Sequence, residues 1–147
     1  MESSRTRRAV RAFVDSSVLF AAAASSTGFA RDLLIQGLRG ELDLVYCAWV
    51  IEETTRNLSR KRADALPLLR EFVATLPSPA PEPPRALVIE VATIIEPEDA
   101  PIVAGAIMLK ATHLATFDRR HLLSQAVLIH QHFGVTVATP DEILRQT

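Results

Sequence analysis

Apolar and polar positions along the 147-residue chain alternate between two kinds of segment: short runs that are almost wholly apolar, and longer stretches with one apolar stripe. Runs of the first kind are what strands buried on both faces require, and stripes at helical spacing are what covering helices require. Residues 9–14 predict a first strand, followed by a helix over 16–24 that Ser25-Ser26-Thr27-Gly28 breaks. A second helix, Phe29 to Leu38, is apolar at Phe29, Leu33, Leu34 and Leu38 and stops at Gly37 and Gly40. The run Leu42 to Cys47 predicts the next strand and Ala48 to Arg60 a third helix. A further amphipathic helix over 62–76 aligns Leu66, Leu69, Phe72, Val73 and Leu76, with Pro67 in its first turn.

Pro77 to Pro84 holds five prolines in eight residues, which excludes helix and central strand and predicts a stiff extended connector within the domain. Alternation and β-branched content over Ala86 to Ile95 predict a strand, with a short helical piece as the alternative because of Glu90. Pro97-Glu98-Asp99-Ala100-Pro101 opens a very apolar helix over Ile102 to Lys110, and a strand at His113 to Phe117 ends in Asp118. Arg119 to about Gln131 predicts helix and Val135 to Ala138 a last strand. Thr139 and Glu142, with Pro140 between them, form the capping box of a final helix. Strands alternating with helices imply an α/β fold with a mostly parallel central sheet flanked by helices.

Composition narrows the class without changing this picture. The length suits one domain, with residues 1–8 a basic N-terminal arm and 9–147 the folded unit. An apolar fraction of 48% and a charged fraction of 22% are those of an ordinary globular protein. The apolar runs break before they reach bilayer length, and the Arg-rich start does not resemble a secretory signal, so a cytoplasmic location and no membrane partner are expected. The single Cys47 excludes an intrachain disulfide and a cysteine-built zinc site, and its apolar setting makes it a core residue. A net charge of −1 gives no global case for binding nucleic acid. Two basic clusters, Arg5, Arg7, Arg8 and Arg11, then Arg56, Arg60, Lys61 and Arg62, are either phosphate-facing patches or solvated faces.

Three times the chain passes through an acid straight into a predicted helix: at Val14-Asp15-Ser16, Pro97-Glu98-Asp99-Ala100 and Phe117-Asp118-Arg119. Each acid alone reads as an N-cap. Together, at one edge of a parallel sheet, uncompensated carboxylates repel and raise one another's pKa, and a cation relieves that repulsion. The third predicted helix offers a fourth acid. Glu52 lies four residues before Arg56, as in a surface ion pair, whereas Glu53 shares a face with Trp49 and Asn57 and is the preferred candidate. Oxygen-only ligands suit Mg²⁺ or Mn²⁺ and metal-assisted hydrolysis of a phosphodiester. Thr116 and Ser16 either hold a water or orient a carboxylate, or serve as turn hydroxyls. The four histidines, His113, His121, His130 and His132, are read as structural or exposed.

Four segments, Phe13-Val14-Asp15-Ser16-Ser17-Val18-Leu19, Ile51-Glu52-Glu53 to Leu58, Asp99-Ala100-Pro101-Ile102-Val103-Ala104 and Leu114-Ala115-Thr116-Phe117-Asp118-Arg119-Arg120-His121-Leu122, together resemble the PIN-domain family, which includes the VapC-type toxin ribonucleases. The resemblance covers about residues 9 to 140 in the family's order, with Ser17 where an Asn is common and Glu98 where a Lys often precedes the Asp. It implies metal-binding roles for Asp15, Glu53, Asp99 and Asp118, with Thr116 a polar accessory. It further implies Mg²⁺ or Mn²⁺ as cofactor, single-stranded RNA as substrate, homodimers, and a toxin held inactive by an antitoxin whose C-terminal segment covers the acidic cleft. The rival within the fold is a non-cleaving RNA- or protein-binding module. A phosphoacceptor domain lacks its second acid after the first strand, and a nucleotide-binding domain lacks its glycine-rich loop.

Overall fold

The computed structural model describes residues 9–147, so the basic arm over 1–8, with Arg5, Arg7 and Arg8, lies outside the described residues. Four short strands form one parallel sheet in the order β2-β1-β3-β4, with β1 Arg11–Val14, β2 Asp43–Val45, β3 His113–Ala115 and β4 Thr136–Ala138. Phe13 pairs with Val45 on one side and Leu114 on the other, and Leu114 pairs in turn with Val137. Strand β1 is therefore interior, which is why Ala12, Phe13 and Val14 are all buried.

Helices supply the two covering layers: α1 Ser16–Ala24, α2 Phe29–Leu38, α3 Ala48–Lys61, α4 Leu66–Thr75, α5 Arg85–Ala92, α6 Ala100–Met108, α7 Ala126–Phe133 and α8 Pro140–Leu144. Helix α6 lies directly on β1 and β3. It can approach because position 105 has no side chain: a Cβ there would stand 3.0 Å from the Phe13 ring and 3.2 Å from Cys47 Sγ. Cys47 is wholly buried, and burial pushes its thiol up to about 11, so it stays protonated and inert in the core. No single described helix is long and apolar enough to cross a membrane.

Several elements differ from the sequence reading. Residues 86–95 are not a strand: α5 is helical because Leu87, Val88, Val91, Ala92 and Ile95 also fall on a 3.6-residue period, with Val91 and Ile95 buried and Ile89 and Glu90 outside. The stretch 62–76 divides into a 3-10 turn at Ala63–Ala65 and α4, with Pro67 in the first turn of α4. Residues 119–122 form turns rather than helix, and regular helix begins only at Ala126. The proline-rich connector does more than span a gap. The Ala80 amide donates to Tyr46 O at 2.9 Å and Ala80 O accepts from the Ala48 amide at 3.1 Å, so a single residue lies beside the end of β2 as a parallel bridge. Arg11 donates to Leu109 O and pairs with Asp43 at 3.5 Å, at the amino end of β1 and away from the acids, so it is a structural cation rather than a phosphate-facing one.

Candidate active site

The strand order locates the site before any side chain is considered. From β1 the chain crosses to β2 on one side of it, and from β3 it crosses to β4 on the other. The crossovers thus diverge between β1 and β3, and beyond the carboxyl ends of those neighbours a crevice opens. Asp15 follows β1 and Thr116, Phe117 and Asp118 follow β3, so the register Val14↔Ala115 sets Asp15 opposite Thr116.

Asp15 is 4% exposed and held at both oxygens. Its Oδ1 accepts the Ser16 amide at 2.7 Å, the N-cap bond of α1, while its Oδ2 accepts the hydroxyls of Ser17 at 2.9 Å and Thr116 at 2.8 Å. Those hydroxyls are fixed from behind. Thr116 Oγ1 accepts the Asp118 amide at 2.9 Å and Ser17 Oγ accepts the Phe117 amide at 3.0 Å, which leaves each hydroxyl proton to point at Asp15. The cap and the strand-end clasp are thus one structure, and Asp15 serves both. Burial pushes its carboxyl above the usual range, with Glu53 adding to the shift, while the Thr116, Ser17 and Ser16 donors hold it down.

Glu53 comes from α3 and its Oε1 accepts the Ser16 hydroxyl, while Glu52 is exposed. Asp99 ends a 3-10 turn, Pro97–Asp99, and is only 9% exposed. Its expected cap role is absent: the side chain makes no capping bond to α6. Instead Oδ2 accepts Gln125 Nε2 at 2.9 Å, and Oδ1 lies 3.9 Å from His121 Nδ1. Burial raises this carboxyl as well, with Glu98 and Asp118 contributing and Gln125 and His121 opposing. Asp118 anchors its own turn, Oδ1 accepting the His121 amide at 3.0 Å.

All four predicted acids and Ser16, Ser17 and His121 line one cleft of about 800 Å³, and Thr116 sits at 0% exposure beneath it. Four residues on this cleft or its support were given no functional role from sequence. Gln125 clamps Asp99, its Oε1 accepting the Glu96 amide at 3.0 Å and so orienting the amide group. Nothing local marks it, since its partner lies 26 residues away. Glu82 and Pro83 bring the connector into the lining, and Trp49, one turn before Glu53 on α3, adds an aromatic wall. The Trp49 signal was present in its helical spacing from Glu53.

A carboxylate offers about four lone-pair positions, and three of those on Asp15 are filled by close donors. Ser16 Oγ also lies 3.5 Å from Oδ1, but its one proton goes to Glu53, which leaves room for one bond from Oδ1. Glu53 and Asp118 are each anchored through one oxygen. Among the described residues no three Asp, Glu, His or Cys side chains converge closely enough to enclose an ion directly. Few carboxylates, hard oxygen donors and room for water are the conditions Mg²⁺ prefers over an all-protein cage. The donor set therefore fits a hydrated divalent cation.

The PIN domain family profile matches residues 12–127, spanning Asp15, Glu53, Asp99 and Asp118. No curated protein matches the chain. Among solved structures, it is similar to the crystal structure of PAE2754 from Pyrobaculum aerophilum at 22% identity and a TM-score of 0.62, over 95% of this chain and 97% of that one. That likeness is one of fold. With the profile covering β2, β3 and nearly all of β1, the crevice and every acid in it, the chain belongs to the PIN domain family, whose members are generally nucleases.

Proposed function

We propose that the protein is a Mg²⁺- or Mn²⁺-dependent endoribonuclease that cleaves single-stranded RNA and acts as the toxin of a toxin–antitoxin pair, functioning as a homodimer. The observation that carries the reading is the convergence of Asp15, Glu53, Asp99 and Asp118 from four separate segments on one cleft at the switch point of the sheet. Acids that served only as helix caps would have no reason to share a cleft, and Asp99 makes no cap bond at all. Asp15, Glu53, Asp99 and Asp118 would hold the cation. When bound, it supplies Lewis-acid stabilisation of the phosphodiester and lowers the pKa of an attacking water. The chain's own part is positioning. Ser17 and Thr116 fix the Asp15 carboxylate, Gln125 fixes Asp99, and burial of both keeps bulk water from screening them.

Cleavage of a mixed single-stranded RNA pool by purified protein freed of any partner tests the activity, with Mg²⁺, Mn²⁺ and EDTA as the three conditions. Metal-dependent cleavage supports the reading. Its absence in all conditions favours the non-cleaving RNA- or protein-binding module. Binding of a small DNA-binding protein encoded beside it, with loss of cleavage, tests the toxin role.

A further inference from the structure

The cleft is larger and less polar than an ion and a phosphate require. Beyond its acids it is walled by Trp49, Pro83, Pro101, Ile102 and Phe117, with Phe117 39% exposed. Among the described residues no Lys or Arg lines it, while Asp15, Glu53, Glu82, Glu98, Asp99 and Asp118 all do. A polyanionic strand therefore gains no charge attraction from these walls, and contacts within them that hold it beside the reacting phosphate are uncharged ones. An aromatic face meets that need, because stacking on a nucleobase is indifferent to the phosphate charge.

We propose that the Trp49 indole, with Pro83 beside it in the lining, is a stacking subsite for one unpaired nucleobase next to the phosphate held at the acids. This rests on the nuclease reading and extends it to how substrate is recognised. Trp49 and Glu53 are four residues apart on one face of α3, about 6 Å along the helix axis. That is the reach from a phosphate to the base of its own nucleotide. The ring is mounted rather than loose: it packs in part against the core, and its backbone amide donates to Glu82 Oε2 at 3.3 Å, tying it to the connector. Yet it remains half-buried, unlike Tyr46 and Phe13, which the core encloses at 1% and 0% exposure. A base within a duplex has no free face to offer, so this subsite selects single strands.

Trp49 is the chain's single tryptophan, so its emission reports this position without labelling. The full chain is titrated with a single-stranded oligoribonucleotide, the same strand annealed to its complement, and an abasic strand of equal length. Ca²⁺ replaces Mg²⁺ to limit cleavage, a gel checks strand integrity, and anisotropy of an end label follows binding in parallel. The single strand is expected to quench the emission at the concentration where anisotropy saturates, and the duplex and abasic strands are expected not to. Trp49→Ala should weaken single-strand binding about tenfold or more, and Trp49→Phe should retain most of it. The subsite is overturned if the single strand binds without changing the emission, if the abasic strand quenches equally, or if Trp49→Phe and a Trp49→Ala variant of unchanged circular dichroism bind as tightly as wild type. Binding without quenching removes the subsite alone. Failure of every strand to bind, with no metal-dependent cleavage, removes the nuclease reading and the subsite together.

Discussion

Asp15 and Asp99 are buried carboxyls whose pKa values burial raises, and this has a sign that can be measured. A carboxyl with a folded-state pKa above its unfolded value binds more protons folded than unfolded between the two, so its contribution to stability falls as pH rises through that interval. At neutral pH both acids, once ionised, work against the fold. Asp99→Asn should therefore raise the midpoint of thermal unfolding in EDTA at pH 7, and the gain should shrink as pH falls toward the usual carboxylate range. Since Asp99 makes no cap bond, no helix-start cost obscures the comparison. Asp141 and Glu142 behave oppositely, their hydrogen bonds to Thr139 holding them low, so they remain charged into acid and cancel in the difference. Thr116→Val removes a donor from Asp15 and an acceptor from the Asp118 amide. The Asp15 carboxyl should rise further and the acid limb of the pH–rate profile should move to higher pH, with maximal rate down by roughly tenfold or more.

Gln125 separates what sequence can and cannot show. The acids were legible from local pattern that belongs to the chain alone: Asp15 and Asp118 follow apolar strands, Asp99 precedes an apolar helix, and Glu53 shares a helical face with Trp49. Gln125 sits among ordinary helix-side residues and gains its role only when the start of α7 is folded against the Pro97–Asp99 turn. Gln125→Ala should lower the cleavage rate at saturating substrate while leaving the substrate KM near wild type. Gln125→Glu, which sets a second negative charge against Asp99, should do worse than Ala on both rate and stability.

At the scale of elements, the connector and α3 carry the most informative contact. Cys47, the residue before α3, makes no side-chain capping bond, and the Glu82 carboxylate on the connector accepts from the Trp49 amide in its place. Glu82→Ala should cost about 0.5–1 kcal/mol, measured by urea unfolding, through loss of this tertiary cap and of a negative charge at a helix N-terminus. The proline content alone announced stiffness, and only the folded chain sets Glu82 and Pro83 on the cleft. Residues 86–95 misled for a different reason: Val88, Ile89, Val91, Ile94 and Ile95 carry strand-like chemistry, and both periods fit so short a run. Packing decided it, since a helix buries Val91 and Ile95 together and leaves Glu90 in solvent. Gly105→Ala adds a methyl that meets the buried Phe13 ring and Cys47, and should cost about 1 kcal/mol or more despite the better helix propensity of alanine.

For the molecule as a whole, the alternation of strands and helices made an α/β fold legible, and the strand order β2-β1-β3-β4 then explains why acids from distant segments meet. That order is what the sequence pattern alone leaves open, because runs that are apolar throughout say nothing of which neighbours they choose. The resemblance of four short motifs implied the PIN family without an order of strands; the family profile over 12–127 bears out the family, and the folded chain supplies the order. A cation that binds only the folded chain must stabilise it, by about 2.7 kcal/mol at a hundred times its dissociation constant. Mn²⁺ should accordingly raise the unfolding midpoint of the wild type and leave that of Asp15→Asn almost unmoved.

The central claim is that the four acids form one metal-dependent hydrolytic site, and single-turnover cleavage of single-stranded RNA by wild type and Asp99→Asn in Mg²⁺ tests it most directly. The account predicts metal-dependent cleavage by the wild type and a loss of roughly a hundredfold or more in the variant, with its fold intact by circular dichroism. Equal cleavage by the two proteins, or wild-type cleavage undiminished in EDTA, would contradict it.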